Sequence, residues 1–259
     1  MDWEKELYPE NEKPLDRLVD GYSCTSILRR IAFVGDSLSS GEFETRDQEG
    51  KAHYHDLYDY SWGQYIARKN GIFAYNFSKG GMTAKVYLES FAEDRGFWDR
   101  EKACHAYVLA LGVNDVLNKK QEIGTLDDVG TDRDTFLRYY AEIVARYKEI
   151  SPDAKFFFVT MPRADRPDRE EPKRIIAERL SQLAEQVGNA YVIDLNRYGP
   201  VYDEKFKRNY YLYGHMNPAG YVLTARLVDS YIDYIIRTHP DDFRRVGFIG
   251  TDIKDFGTF

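Results

Sequence analysis

Four short polar stretches of this chain carry side chains that can act together on an ester. They are Gly35-Asp36-Ser37, the run from Asn76 to Gly81, Gly112-Val113-Asn114-Asp115, and His215-Met216-Asn217. Acyl transfer needs a nucleophile, a general base and hydrogen-bond donors that converge on the developing oxyanion. The Ser37 hydroxyl attacks well only if an imidazole, here His215, removes its proton. A glycine N–H can approach a substrate closely because no Cβ intervenes, and the Asn114 carboxamide offers a further donor. Each stretch alone has a plainer reading. Ser37 caps a helix, Gly80-Gly81 makes a turn, Gly112–Asp115 is a turn with a side-chain cap, and His215 packs or caps. Together they supply every role that acyl transfer requires.

The elements that must position these groups are legible as alternating patterns. Apolar runs at Ile31–Val34, Ile72–Phe77, His105–Gly112, Ala154–Pro162 and Ala190–Leu195 read as strands. Between and after them, Ser61–Asn70, Asp134–Ser151, Glu171–Gly188 and Asn217–His239 read as helices. Phe136, Tyr140, Ile143, Val144 and Tyr147 share one face of the second helix. Strands that are apolar throughout are buried on both faces, which predicts a parallel sheet between helical layers. The expected fold class is therefore α/β, one domain over residues 1–259 with three α/β/α layers. Residues 1–28 read as an irregular leader, 41–60 as an inserted loop and 239–259 as a C-terminal extension. The loop and the extension are both candidates to shape a pocket. In such sheets ligands bind beyond the carboxyl ends of the strands, which is where the four polar stretches fall.

The blocks "FVGDSLSSG", "NFSKGGMTA", "LGVNDV" and "HMNPAGY" resemble, in order, those of the SGNH (GDSL-type) hydrolases, over residues 33–221. The resemblance implies a flavodoxin-like SGNH hydrolase fold and serine ester hydrolysis without a cofactor. By that resemblance Ser37 is the nucleophile and His215 the general base. The Ser37 N–H, the Gly81 N–H and the Asn114 amide form the oxyanion hole. Gly80 and Gly81 are adjacent; the pattern of Asn76, Ser78, Gly81 and Thr83 selects Gly81.

One position departs from that pattern. The family usually places an Asp three residues before the His, to hold the imidazole tautomer; here the residue is Leu212. Two readings stay open. Either a Ser–His dyad or non-standard triad works with another group on the ring, or the protein is a weak or inactive binding relative. Glu42, Glu44, Asp194 and Asp203 are carboxylates within sequence reach, and all have a plain reading as solvated loop charge. Asp36, Glu44 and Asp203 are kept as candidate supporting residues.

Composition narrows the function further. The net charge is −7 and no basic stripe exists, which argues against nucleic acid. No apolar run approaches the length of a membrane span. Two cysteines, Cys24 and Cys104, without a CxxC suggest free thiols. The charged N-terminus shows no signal peptide, so a cytoplasmic location is expected. His53, His55, Asp56 and Asp59 form a polar loop rather than a zinc site, and no nucleotide-binding glycine motif is present. No metal or cofactor is expected. The sequence reading is a serine esterase for small or carbohydrate-linked O-acyl groups, with an acyltransferase as a further alternative. Acyl length, sugar identity and oligomeric state are not encoded in any motif.

Overall fold

The computed structural model describes residues 10–255 and 257. Its centre is a five-stranded, wholly parallel sheet. In chain order the elements used below are β1 (Arg30–Gly35), α1 (Ser37–Ser40), β2 (Glu42–Arg46), β3 (Ala52–Asp56), α2 (Trp62–Asn70), β4 (Phe73–Ser78), β5 (Ala106–Ala110), α3 (Phe136–Ile150), β6 (Lys155–Val159), α4 (Pro167–Val187), β7 (Ala190–Ile193), β8 (Tyr211–Leu212), β9 (His215–Met216) and α5 (Pro218–Thr238). The sheet order is β4-β1-β5-β6-β7, so the first strand lies inside and the chain winds outward on both sides of it. This is the flavodoxin-like doubly wound order.

Two apolar cores cover the sheet. On one face, Tyr140, Tyr147 and Leu180 from α3 and α4 pack on alternate strand residues such as Val34, Leu109 and Phe158. On the other, Trp62 and Ile66 of α2 and Val228 and Ile232 of α5 pack on Phe33, Val108 and Phe157. Strand residues alternate between the two cores because successive side chains point to opposite faces. Helix ends follow local chemistry. Ser61 accepts from the Gln64 N–H at 3.3 Å to open α2, and left-handed Gly71 closes it. Asn217 caps α5 through the Gly220 N–H at 2.9 Å, with Pro218 in the first turn.

Three expectations change. Helix α4 begins at Pro167 rather than Glu171, because Pro167 supplies its own first-turn φ and Pro172 is carried inside the helix. The region expected as a loop at 41–60 is a β-hairpin. Strands β2 and β3 pair antiparallel, Glu44 opposite Tyr54, around the Asp47–Gly50 turn. Phe43 points into the core against Tyr221, so Glu42 and Glu44, one residue to either side, share the opposite face. The described part of the C-terminal segment packs elsewhere: Phe243 stacks on Tyr191, near the amino end of β7, at the far edge of the sheet from the loops after β1 and β4.

Candidate active site

Strand β1 ends in Gly35, Asp36 follows, and Ser37 is the first residue of the short helix α1. A Cβ at Gly35 would collide with the Ser39 hydroxyl, so the strand can turn this tightly only with glycine. Asp36 Oδ1 accepts from the Leu38 N–H at 3.0 Å, which fixes the backbone on both sides of Ser37. Asp36 is 4% exposed, and burial pushes its carboxyl up to about 7. Ser78 is committed elsewhere, its hydroxyl donating to the Phe33 carbonyl at 2.9 Å.

The candidate oxyanion donors come from the next two strand ends. Beyond β4 the chain turns through Gly80 and Gly81, with Gly81 at φ +71°. Beyond β5, Gly112 adopts φ +126° and starts a π-helical turn, Val113–Asn118. These backbone angles suit glycine and few other residues. Asn114 Nδ2 donates to the Met82 carbonyl at 3.1 Å and reaches Asp36 Oδ2 at 3.5 Å, so its amide ties the three loops together. Asp115 is fully buried beneath them. Its Oδ1 accepts from the Ala84 N–H at 2.7 Å, and burial pushes its carboxyl up to about 6.

His215 arrives on β9, opposite Leu212 in a two-residue hairpin ladder. Leu212 is 40% exposed and makes only that backbone pairing with the ring's strand. The His215 Nδ1 partner comes instead from the β2–β3 hairpin: Glu44 Oε2 lies 3.2 Å away. The same oxygen accepts from the Gly214 N–H at 2.9 Å, and Glu44 Oε1 is paired with the Arg46 guanidinium. Glu44 is 3% exposed. Burying an unpaired carboxylate costs several kcal/mol. Hydrogen bonds to a charged group return about 1.5–3 kcal/mol each, with less from Arg46 because it is solvent-screened. The balance keeps Glu44 ionised: burial alone raises its pKa, but the bonds from His215, Gly214 and Arg46 hold it below the usual range.

The second ring nitrogen has a partner the sequence reading did not assign. Glu42 Oε1 is 3.1 Å from His215 Nε2. Burial disfavours the charged ring, but hydrogen bonds and charge from Glu42 and Glu44 outweigh it and raise the His215 pKa. Tyr54, opposite Glu44 in the hairpin, places its ring edge-on to His215 at 5.5 Å. Turn α1 packs on β9, and Tyr221 Oη bridges the Ser37 carbonyl at 3.4 Å and the Glu42 carbonyl at 2.6 Å.

The other carboxylate candidates are structural caps. Asp203 accepts from the Phe206 N–H at 2.7 Å at the start of a short helix, and Asp194 from the Arg197 N–H at 3.1 Å. Neither meets His215, since each side chain is spent on its own helix N-terminus. Of the supporting candidates only Glu44 contacts the ring, while Asp36 sits under the serine turn. His53 and His55 are exposed and bond to Asp47 and Thr45, and no His, Cys, Asp and Glu cluster among the described residues has metal-site geometry. The missed signal was the alternation in "EFETR" and "AHYHD" about a turn-rich "DQEG", a hairpin pattern. A cavity of about 80 Å³ opens beside Asp36 and is lined by Leu38, Trp62, Val113, Met161 and Met216. No described helix is long and apolar enough to cross a membrane.

Residues 33–223 match the GDSL-like lipase/acylhydrolase family. No curated protein sequence matches the chain. Among solved structures, a Lactobacillus plantarum protein is similar with TM-score 0.60 and 16% identity, over 80% of this chain and 97% of that one. The esterase EstA from Pseudoalteromonas sp. is similar with TM-score 0.54 and 15% identity, over 80% of this chain and 98% of that one. A family two carbohydrate esterase from Clostridium thermocellum, solved with cellohexaose, is similar with TM-score 0.57 and 16% identity. That match covers 83% of this chain and 65% of the esterase. At these identities the likeness is one of fold.

Proposed function

The chain belongs to the GDSL-like lipase/acylhydrolase family and is a carboxylic ester hydrolase, and we propose that it is a serine esterase of short, acetyl-type O-acyl esters, those of carbohydrates included. The observation that carries this reading is the buried Glu44 carboxylate on His215 Nδ1, beside the Ser37 turn. A carboxylate there holds the ring in the tautomer whose Nε2 can act as base and stabilises the imidazolium that forms. The alternative of a weak or inactive relative rested on Leu212, and Glu44 supplies from another strand what Leu212 lacks.

In the proposed reaction Ser37 Oγ attacks the ester carbonyl carbon while His215 Nε2 takes the hydroxyl proton. The carbonyl oxygen, now an oxyanion, accepts from the Ser37 and Gly81 N–H groups and from the Asn114 amide, which gives up its long 3.5 Å contact to Asp36 to do so. The bond to the alcohol oxygen breaks as His215 returns its proton to that oxygen, leaving an acyl-serine. Water then attacks the acyl carbon, giving its proton to His215, which passes it to Ser37 as the acid leaves. The short-acyl part of the proposal draws on the small apolar cavity whose lining includes Leu38, Val113 and Met216, the chain neighbours of Ser37, Asn114 and His215. The carbohydrate part of the proposal draws on the fold likeness to a carbohydrate esterase.

The test is hydrolysis of p-nitrophenyl acetate by Ser37→Ala, together with labelling of the wild type by a fluorophosphonate. The expected result is loss of turnover and a label on Ser37. Retention of wild-type turnover by the alanine variant would show that Ser37 is not the nucleophile.

A further inference from the structure

His215 has two ring nitrogens and one of them is committed. Nδ1 faces Glu44, so Nε2 is the atom that must take the Ser37 proton and return it to the leaving alcohol. Nε2 instead faces Glu42 Oε1 at 3.1 Å, with the Glu42 side chain only 12% exposed. The seat for this carboxylate is built. Left-handed Gly41 at φ +85° leads into β2, and fully buried Tyr221 donates its hydroxyl to the Glu42 carbonyl at 2.6 Å. The other carboxylate oxygen lies over Gly80, where any Cβ would collide with it. Gly80 thus makes room for Glu42, next to the Gly81 assigned as a donor. One carboxylate spans the base and the glycine loop.

That position belongs to the alcohol half of an ester. The carbonyl must sit between Ser37 and its oxyanion donors, and the leaving oxygen must come within hydrogen-bond reach of Nε2. A carboxylate already in contact with Nε2 is therefore close to the leaving oxygen. When the neutral ring offers its lone pair to Ser37, Glu42 loses its donor. A mostly buried carboxylate without a donor is a costly state, so an ester that brings a donor to this place is favoured. In polyols and sugars the carbon beside the esterified one carries such a donor, a hydroxyl. An anionic group in the same place meets the Glu42 charge and is repelled.

Resting on the reading of Ser37 and His215 above, we infer that Glu42 is a specificity-determining residue of the alcohol subsite. It accepts a hydrogen bond from a hydroxyl vicinal to the acylated oxygen and excludes anionic alcohols. The substrate class this selects is monoesters of vicinal diols, polyols and sugars.

The experiment measures kcat/KM for glycerol 1-monoacetate and for n-propyl acetate, following acetate release. The wild type is expected to favour the monoacetate by about tenfold or more. Glu42→Ala is expected to bring the two within about threefold of each other. Gly80→Ala, which evicts the carboxylate but keeps its charge, is expected to lower the ratio as well, and it covers the case in which Glu42→Ala fails to fold. Glu42→Gln is expected to hydrolyse O-acetyl-lactate, whose alcohol portion is anionic, faster relative to n-propyl acetate than the wild type does. A wild-type ratio near one, or a ratio unchanged when Glu42 is removed or evicted, overturns the inference. Fluorophosphonate labelling of the same preparations separates the two levels. A labelled Ser37 with an unchanged ratio rejects the role of Glu42 alone, whereas an unlabelled wild-type Ser37 rejects the nucleophile and the inference with it.

Discussion

The strand-end loops of the parallel sheet and the β2–β3 hairpin contribute to the same site in different ways. The loops after β1, β4 and β5 hold Ser37, Gly81 and Asn114 on backbones fixed by positive φ, tight turns and cross-loop hydrogen bonds. In the proposed reaction they supply the attacking atom and the oxyanion donors. The hairpin contributes no attacking atom. Its pleat sends Phe43 into the core and turns Glu42 and Glu44 toward one imidazole, one on each ring nitrogen. In that proposal the sheet supplies reacting geometry, and the hairpin supplies the charge around the imidazole.

This division predicts a graded series of effects. The largest belongs to the sheet: Ser37→Ala is expected to lower kcat for p-nitrophenyl acetate by as much as ~10⁶, with circular dichroism unchanged. A smaller loss would mean that a second group can attack. Next comes the hairpin's Glu44→Gln, expected to cost ~10⁴ in kcat because it removes the acceptor that sets the His215 tautomer. A loss under about tenfold would break the division, making Glu44 a packing residue. Asn114→Ala is expected to cost ~10²–10³ in kcat with little change in KM, as for one oxyanion donor.

Glu42→Gln tests the tuning. His215 must be neutral to accept a proton, so activity rises as pH climbs through its raised pKa. Removing the Glu42 charge lowers that pKa and should shift the acid limb of kcat/KM to lower pH. The groups facing the ring that remain are Glu44, Asp36 and Tyr54. The same linkage affects stability. A raised folded-state pKa stabilises the wild type below the ordinary histidine value of 6.5, and the benefit disappears as pH rises through the raised value. Thermal melts should therefore show Glu42→Gln losing more stability at pH 5 than at pH 8, and equal losses at both would contradict the assignment. The smallest expected effect is at the position where an Asp was anticipated. Leu212→Asp should change kcat by less than about threefold, because Glu44 already occupies Nδ1; a large gain would mean that Glu44 orients the ring poorly.

The same division explains what could be read in advance. Ser37 and Asn114 sit in short linear motifs at the ends of apolar runs and His215 in one just before the last helix, and the parallel sheet follows from strands that are apolar on both faces. Glu44 was one of three supporting candidates, and the hairpin alternation around it gives its strand but not its partner. Its partner lies 171 residues away, and only the packing of β2 against β9 brings it to the ring. Asp203, with the same chemistry and closer in sequence, was as good a candidate until its carboxylate was found capping a helix. Long-range tertiary pairing, rather than residue type, decides which acid meets His215.

The distance between Glu44 and His215 along the chain also has a kinetic consequence. Contacts of large sequence separation close late, because the intervening loop entropy must be overcome first. The sheet strands through β5 can pair while residues beyond Ala110 are still unorganised, yet the ring and its acid meet only after β9 has docked on the hairpin. Esterase activity regained during refolding would then trail the return of helical and sheet signal, and turnover would serve as a clock for the last long-range contact to form.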